Sequence, residues 1–244
     1  MPEELEHNPE HIFWEKARIE KLSLIREIVF GAQDGLLVPL GVVSSVAGAF
    51  ANNHIVIVAG IAEALAGAFS MGTGAYLASQ AEKQVHESEI EKERAAIEKY
   101  PEDEKQEMVM LFEKEGLETI DAKEIVDRLQ KSKVAFENTM IQKELGLEPQ
   151  PPGTPLKDAL YVALSYLIAA IIPVFPYFLV EARQAVVLSI ILTLLALFSI
   201  GILKAKVAQL SLLKNGLQVL AIGILSGVGG YIMGTFLPHL LGLA

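Results

Sequence analysis

The sequence contains no cysteine and only five histidines, which excludes several kinds of site. Without cysteine there are no disulfides and no thiolate metal ligands. A di-iron oxidase built on helices requires two Glu-x-x-His motifs, and these five histidines do not supply two. Nothing in the sequence supports a serine nucleophile either. We therefore expect that the protein is not an enzyme and that it uses no organic cofactor.

Acidic residues are also scarce, but only in part of the chain. Of the 30 Asp and Glu residues, 7 lie in 1–27 and 19 in 81–157, and the others are Asp34, Glu63, Asp158 and Glu181. The chain is nevertheless 52% hydrophobic with a net charge of −10, and its mean hydropathy is +0.39. A soluble protein scatters its charge over every element, so this segregation indicates a membrane protein with a soluble acidic segment. No basic surface of the kind that binds nucleic acid is present.

Long apolar runs give the fold class. A helix needs about 20 apolar residues to cross a hydrocarbon core about 30 Å thick. Five stretches meet this requirement, at 28–51, 55–77, 159–178, 185–203 and 217–237. The sequence therefore predicts an all-α, multi-pass integral membrane protein with five transmembrane helices in a lipid bilayer.

The charged residues between the spans predict the domain organisation and the orientation. We expect an N-terminal cytoplasmic or interfacial helix at 1–27, transmembrane helices 1 and 2 at 28–77, an acidic helical domain at 78–157, and transmembrane helices 3 to 5 at 158–244. Basic residues precede the first span and lie between the fourth and fifth, which predicts a cytoplasmic N-terminus and a cytoplasmic insertion. The insertion is expected to contain three helices, with the second starting at Pro101 and the third running from Asp121 to about Leu145.

Two acids lie within the apolar spans. Asp34 and Glu63 are the only acids in spans 1, 2, 4 and 5, which also lack Lys and Arg. A carboxylate at this depth costs several kcal/mol without a partner, a proton or water, so it indicates function by default. The alternative is a structural hydrogen bond between helices, made by a protonated acid.

Helix geometry relates these acids to a methionine. Because spans 1 and 2 are antiparallel, Asp34 and Met71 are expected at the same depth, and Glu63 about 12 Å farther across. Carboxylate oxygen suits Fe²⁺, Mn²⁺ and most divalent ions, and a thioether adds affinity for softer ones. Core packing is the alternative role for the methionine.

The acidic insertion is a second candidate site. Residues 81–157 carry 12 basic and 19 acidic residues, a net charge of −7. The pairs Glu104–Glu107 and Met140–Glu144 have spacings that place each pair on one helix face. Converging carboxylates would form an oxygen-rich pocket for divalent cations. The alternative is an ordinary solvated surface.

Together these residues resemble the vacuolar iron transporter family, which includes prokaryotic iron and manganese exporters. The resemblance is carried by REIVFGAQDGLLVPLGVVSSVAG at 26–48, GIAEALAGAFSMGTGAY at 60–76, PEDEKQE at 101–107 and ELGL at 144–147. The order of two spans, an acidic insertion and three spans also matches. The resemblance implies a homodimer that exchanges Fe²⁺ or Mn²⁺ for protons, with the ions passing between the two subunits.

The resemblance also implies roles for individual residues. Transport-path roles fall on Asp34, Glu63 and Met71. Metal-ligand roles in the insertion fall on Glu89, Glu93, Glu104, Glu107, Met140 and Glu144. Two departures remove potential ligands: Ala75 stands where the family often has Glu, and Ile141 follows Met140 where plant-like members have a second Met.

The expected function is thus export of Fe²⁺ or Mn²⁺ from the cytoplasm for metal homeostasis and detoxification. The expected location is a prokaryotic cell membrane, or a vacuolar-type membrane in a eukaryote. The alternative is a membrane-tethered metal-binding or sensor protein that does not transport.

Overall fold

The computed structural model describes residues 9–149, 154–207 and 210–240, with side chains from residue 24 onward except at 207 and 237–239. Every regular element in these residues is helical. The helices are α1 (Pro9–Phe50), α2 (Asn53–Lys99), α3 (Pro101–Lys114), α4 (Thr119–Leu129), α5 (Lys133–Glu144), α6 (Pro155–Val174), α7 (Ala182–Val207) and α8 (Leu212–Leu240). A short 3₁₀ helix, Phe175–Phe178, extends α6.

The chain divides into two compact units. The first, here called the membrane unit, comprises Met1–Tyr76 and Leu156–Ala244, and the second, the acidic unit, comprises Leu77–Pro155. Five helices among the described residues are long and apolar enough to cross a membrane: α1, α2, α6 with its 3₁₀ extension, α7 and α8. For the described residues, the prediction of an all-α protein with five helices suited to crossing a membrane is therefore confirmed.

Glycines let α1 pack closely against two other helices of the membrane unit. A Cβ atom at Gly35 would collide with the backbone of Tyr166 on α6. Farther along α1, a Cβ at Gly234 of α8 would collide with the backbone of Ser45. Without hydrophobic driving force in lipid, such close backbone approach is a main source of helix association. The first span thus packs against both α6 and α8.

The connection between α1 and α2 is shorter than the three residues, 52–54, that separate the first two predicted spans. Only Ala51 and Asn52 lie outside the helices, and Ala51 adopts the left-handed conformation with a φ of 47°. The Asn52 side-chain oxygen accepts a hydrogen bond from the backbone N–H of His54 at 2.9 Å. This cap satisfies a donor that the first turn of α2 leaves free.

The acidic unit differs from the predicted three helices. Its first helix is the continuation of α2, and the helix expected from Asp121 to about Leu145 is in fact two helices, α4 and α5. Ser132 explains the break, because its side chain accepts a hydrogen bond from the Ala135 N–H and so caps the start of α5. The unit has its own apolar core, which includes Met108, Val126 and Phe136.

Candidate metal sites

A tyrosine binds one of the two acids in the membrane unit. The Tyr166 hydroxyl on α6 donates a hydrogen bond of 2.5 Å to Oε1 of Glu63 on α2. Tyr166 is only 1% exposed, while Glu63 is partly buried. The second carboxylate oxygen, Glu63 Oε2, is buried and has no hydrogen-bond partner. A buried acceptor left unpaired is costly, so this oxygen is available for a proton, a water molecule or a cation.

Two glycines fix the position of this tyrosine. A Cβ at Gly67 of α2 would collide with the Tyr166 ring and hydroxyl, and a Cβ at Gly35 of α1 would collide with its backbone. Tyr166 therefore fills a space that exists only because both neighbouring positions lack side chains. The ring has little freedom, and its hydroxyl is aimed at Glu63.

The other two predicted transport-path residues lie around the same tyrosine. Asp34 is adjacent to Gly35 in sequence, and its charge acts electrostatically on Tyr166. Met71 packs against the apolar cluster that contains Ala64, Ala68 and Tyr166. Gly35 contacts Tyr166 and Gly72 contacts Ala163 of α6, which puts the neighbouring residues Asp34 and Met71 at similar heights along α6. Glu63 lies about 12 Å from Met71 along α2, and the roles of all three in transport remain a prediction.

Tyr166 itself was not predicted from the sequence. Tyrosines in membrane proteins are enriched at the two membrane–water interfaces, whereas Tyr166 lies near the middle of α6. That unusual position is the signal that sequence reasoning could have used. Its partner could not have been found in this way, because Tyr166 and Glu63 are 103 residues apart in the chain.

The acidic unit holds a separate cluster of carboxylates. Glu93 near the end of α2, Glu104 on α3 and Glu144 on α5 each offer an oxygen, and these oxygens lie within 4.8 Å of one another. Glu93 and Glu104 are buried, with 7% and 9% of their surface exposed. One oxygen of each, Oε1 of Glu93 and Oε2 of Glu104, is buried without a hydrogen-bond partner.

Burial and mutual repulsion make this cluster hard to ionise. Loss of solvation, followed by the charges of Glu144, Glu104 and Glu107 and a hydrogen bond with Glu144, raises the pKa of Glu93 to about 7. Burial and neighbouring carboxylates also raise the pKa of Glu104 and of Glu144. A divalent cation would remove this repulsion and would bind the unpaired oxygens. The donor set is therefore suited to a hard divalent ion.

The structure separates the six residues predicted as metal ligands in the acidic unit. Glu107 is close enough for its charge to act on the cluster. Glu89 instead forms a 2.6 Å ion pair with Lys92 on the exposed side of α2. Met140 is fully buried in the apolar core of the unit. The carboxylates of Glu93, Glu104 and Glu144 converge, and metal binding by any of the six stays a prediction.

Comparison with known proteins identifies the family. Residues 25–235 match the VIT family. The chain belongs to the VIT family. It is 36% identical to vacuolar iron transporter 1 of Eucalyptus grandis over 210 residues, covering 86% of this chain and 84% of the relative. It is 34% identical to vacuolar iron transporter 1 of Arabidopsis thaliana, covering 89% and 87%, and 30% identical to the vacuolar iron transporter of Toxoplasma gondii, covering 89% and 76%.

Membership of the VIT family confirms two predictions. The resemblance stated from the sequence motifs is correct, and it covers all five membrane-spanning helices. VIT family members are transporters, so the prediction that this chain is not an enzyme is also confirmed. Both carboxylate sites described above lie within the matched residues.

Proposed function

We propose that this protein transports Fe²⁺ or Mn²⁺ out of the cytoplasm in exchange for protons, as a homodimer. The single observation that carries the proposal is the buried oxygen of Glu63 that has no partner, on a carboxylate that Tyr166 binds within the membrane unit. A structural hydrogen bond alone would account for only one oxygen of that carboxylate. The names of the relatives, which are iron transporters, support iron as the cargo.

The proposed cycle begins at the acidic unit, which we place in the cytoplasm. Fe²⁺ or Mn²⁺ binds between Glu93, Glu104 and Glu144 and competes there with the proton that Glu93 takes up as the pH falls through about 7. Oxygen donors accept both ions, so manganese remains part of the proposal. The host membrane is a prokaryotic cell membrane, or a vacuolar-type membrane in a eukaryotic host.

In the membrane unit, a metal ion and a proton compete for the carboxylates of Asp34 and Glu63. A proton arriving from the far side neutralises the carboxylate and releases the cation, which couples the two gradients. Exchange follows if the loaded and empty forms open to opposite sides. The chain needs no cofactor for this cycle, since the metal is the cargo.

Metal-dependent proton flux in proteoliposomes tests the proposal. Wild-type protein should take up Fe²⁺ and Mn²⁺ and move protons the other way, while Zn²⁺ and Ca²⁺ serve as comparison ions. Asp34→Ala should abolish the flux while the protein remains folded and dimeric. Normal uptake by Asp34→Ala would contradict the proposed path. Tight metal binding by wild-type protein without any flux would instead favour a membrane-tethered sensor.

A further inference from the structure

Tyr166 determines how Glu63 can act as a ligand, an inference that rests on the proposed transport function. The hydroxyl occupies Glu63 Oε1 at 2.5 Å, and only Oε2 is left without a partner. A cation that binds one oxygen can use Oε2 alone, whereas a cation that binds both oxygens must share Oε1 with the hydroxyl. The tyrosine thus favours one-oxygen binding by Glu63.

The packing around Tyr166 makes this restriction rigid. The Tyr166 ring is pressed against Gly67 and its backbone against Gly35, and the residue is almost completely buried. The hydroxyl cannot move toward Gly67 without displacing α2. A bound cation therefore meets a carboxylate whose second oxygen already accepts a hydrogen bond.

Cations differ in how much this restriction costs them. Ca²⁺ takes six to eight oxygen ligands and often uses both oxygens of one carboxylate. Mn²⁺ is coordinated octahedrally by six oxygens, and each carboxylate needs to supply only one of them. A one-oxygen Glu63 therefore penalises Ca²⁺ more than Mn²⁺ or Fe²⁺.

We propose that Tyr166 is a positioning residue that favours one-oxygen binding by Glu63 and thereby disfavours Ca²⁺ relative to Mn²⁺ in the transport path. Tyr166 does not itself bind the metal, because its hydroxyl is committed to Glu63. Its removal should change the selectivity of transport more than its maximal rate.

The test compares Tyr166→Phe with Tyr177→Phe in full-length protein in proteoliposomes. Tyr177 is the matched control, since it is equally buried at 1% exposure but donates only a long bond, 3.5 Å, to the Val43 carbonyl. The measured quantities are the KM and kcat for Mn²⁺ and the inhibition constant of Ca²⁺. In Tyr166→Phe the ratio of the Ca²⁺ inhibition constant to the Mn²⁺ KM should fall about tenfold, the scale of one hydrogen bond to a charged group.

The control should leave that ratio within about twofold of wild type, the scale of a weak neutral hydrogen bond. An unchanged ratio in Tyr166→Phe, with wild-type flux present, overturns the role of Tyr166 and leaves the proposed function intact. Absence of Mn²⁺ and Fe²⁺ flux in the wild type overturns both. If Tyr166→Phe does not fold, 3-fluorotyrosine at position 166 keeps the ring and strengthens the donor. It should raise the ratio, and no change would overturn the proposal.

Discussion

The two units present their buried carboxylates in opposite surroundings. In the membrane unit, Glu63 is paired with a neutral hydroxyl from Tyr166. In the acidic unit, Glu93 is surrounded by other carboxylates, of which Glu144 and Glu104 act on it most strongly. Each of these two glutamates retains one buried oxygen without a partner.

Under the proposed function, this difference predicts two kinds of cation site. Several carboxylates that repel one another gain most from a divalent ion, which favours capture and retention. An acid with a neutral hydrogen-bond partner lacks that repulsion, so a cation gains less there and leaves more readily. The carboxylate cluster of the acidic unit therefore suits capture of the metal ion, and Glu63 of the membrane unit suits its passage.

The largest effect is expected at Glu63. Glu63→Gln keeps an oxygen that can accept from Tyr166 but removes the charge and the titrating group, so metal flux should fall at least about 100-fold. Flux into proteoliposomes at saturating Mn²⁺ measures this. The control is Glu181→Gln, which alters an exposed acid between the 3₁₀ helix and α7. Substantial flux in Glu63→Gln would show that the metal ion does not need this carboxylate to pass through the membrane unit.

A smaller effect, on affinity, is expected in the acidic unit. Glu104→Gln replaces one converging carboxylate and should weaken Mn²⁺ binding by about 10–100-fold, the scale seen when groups supporting a metal site are altered. Isothermal titration of the full-length protein measures this. Glu89→Gln is the matched control because Glu89 pairs with Lys92 instead. Equal losses in both variants would show that overall negative charge, rather than the cluster, binds the metal.

The cluster also predicts a pH dependence of stability in the absence of metal. The folded-state pKa of Glu93 is raised from 4.5 to about 7, so the folded state binds protons more tightly than the unfolded state. This stabilisation is complete below about pH 4.5 and is lost as the pH rises through about 7. Hydrogen exchange in α3 and α5, corrected for intrinsic rates, should show less protection at about pH 8 than at about pH 5.

Two further measurements identify the source of that pH dependence. Glu93→Gln, which cannot ionise, should reduce the loss of protection at high pH. Added Mn²⁺ should restore protection to wild-type protein at about pH 8, because the bound ion offsets the repulsion. A pH profile that Glu93→Gln leaves unaltered would assign the effect to other groups.

The smallest effect is expected at the cap of α5, the helix that carries Glu144. Ser132→Ala removes the acceptor for the Ala135 N–H and should destabilise α5 by about 1 kcal/mol. Hydrogen exchange of α5 measures the change, and Ser88→Ala, at an exposed position within α2, is the control. Mn²⁺ affinity should fall only slightly. A loss as large as that of Glu104→Gln would mean that the cluster depends on local rigidity more than on its charges.

The sequence alone predicted the membrane helices well because their signal is local. Each span is a run of apolar residues long enough to cross a bilayer, and the structure has a helix at each one. The start of α3 at Pro101 was predicted as well, since Pro is favoured at the first position of a helix. The break between α4 and α5 was missed because the residues between them, Gln130, Lys131 and Ser132, include neither Gly nor Pro. Ser132, a residue type that often caps the start of a helix, was the one local signal of the break.

The candidate sites depend on contacts that sequence spacing does not determine. Glu89 and Glu93 are four residues apart on α2, so spacing alone puts them on similar faces. The structure buries Glu93 and leaves Glu89 beside Lys92. Met140 shares a helix face with Glu144 by spacing, yet packing against α3 and α4 draws it into the core. Packing between helices that are distant in the sequence decided which of these side chains are buried, and spacing along one helix does not reveal that packing.

Asn53 has a consequence for how the membrane unit can move. Its side-chain amide donates two hydrogen bonds of 2.7 Å, to the backbone carbonyls of Tyr177 and Val180. These bonds tie the α1–α2 hairpin to the segment that joins α6 to α7. Any rearrangement that separates the four helices at this end must break both bonds, whereas one that separates them at the opposite end keeps both. The amide therefore favours a pivot at this end.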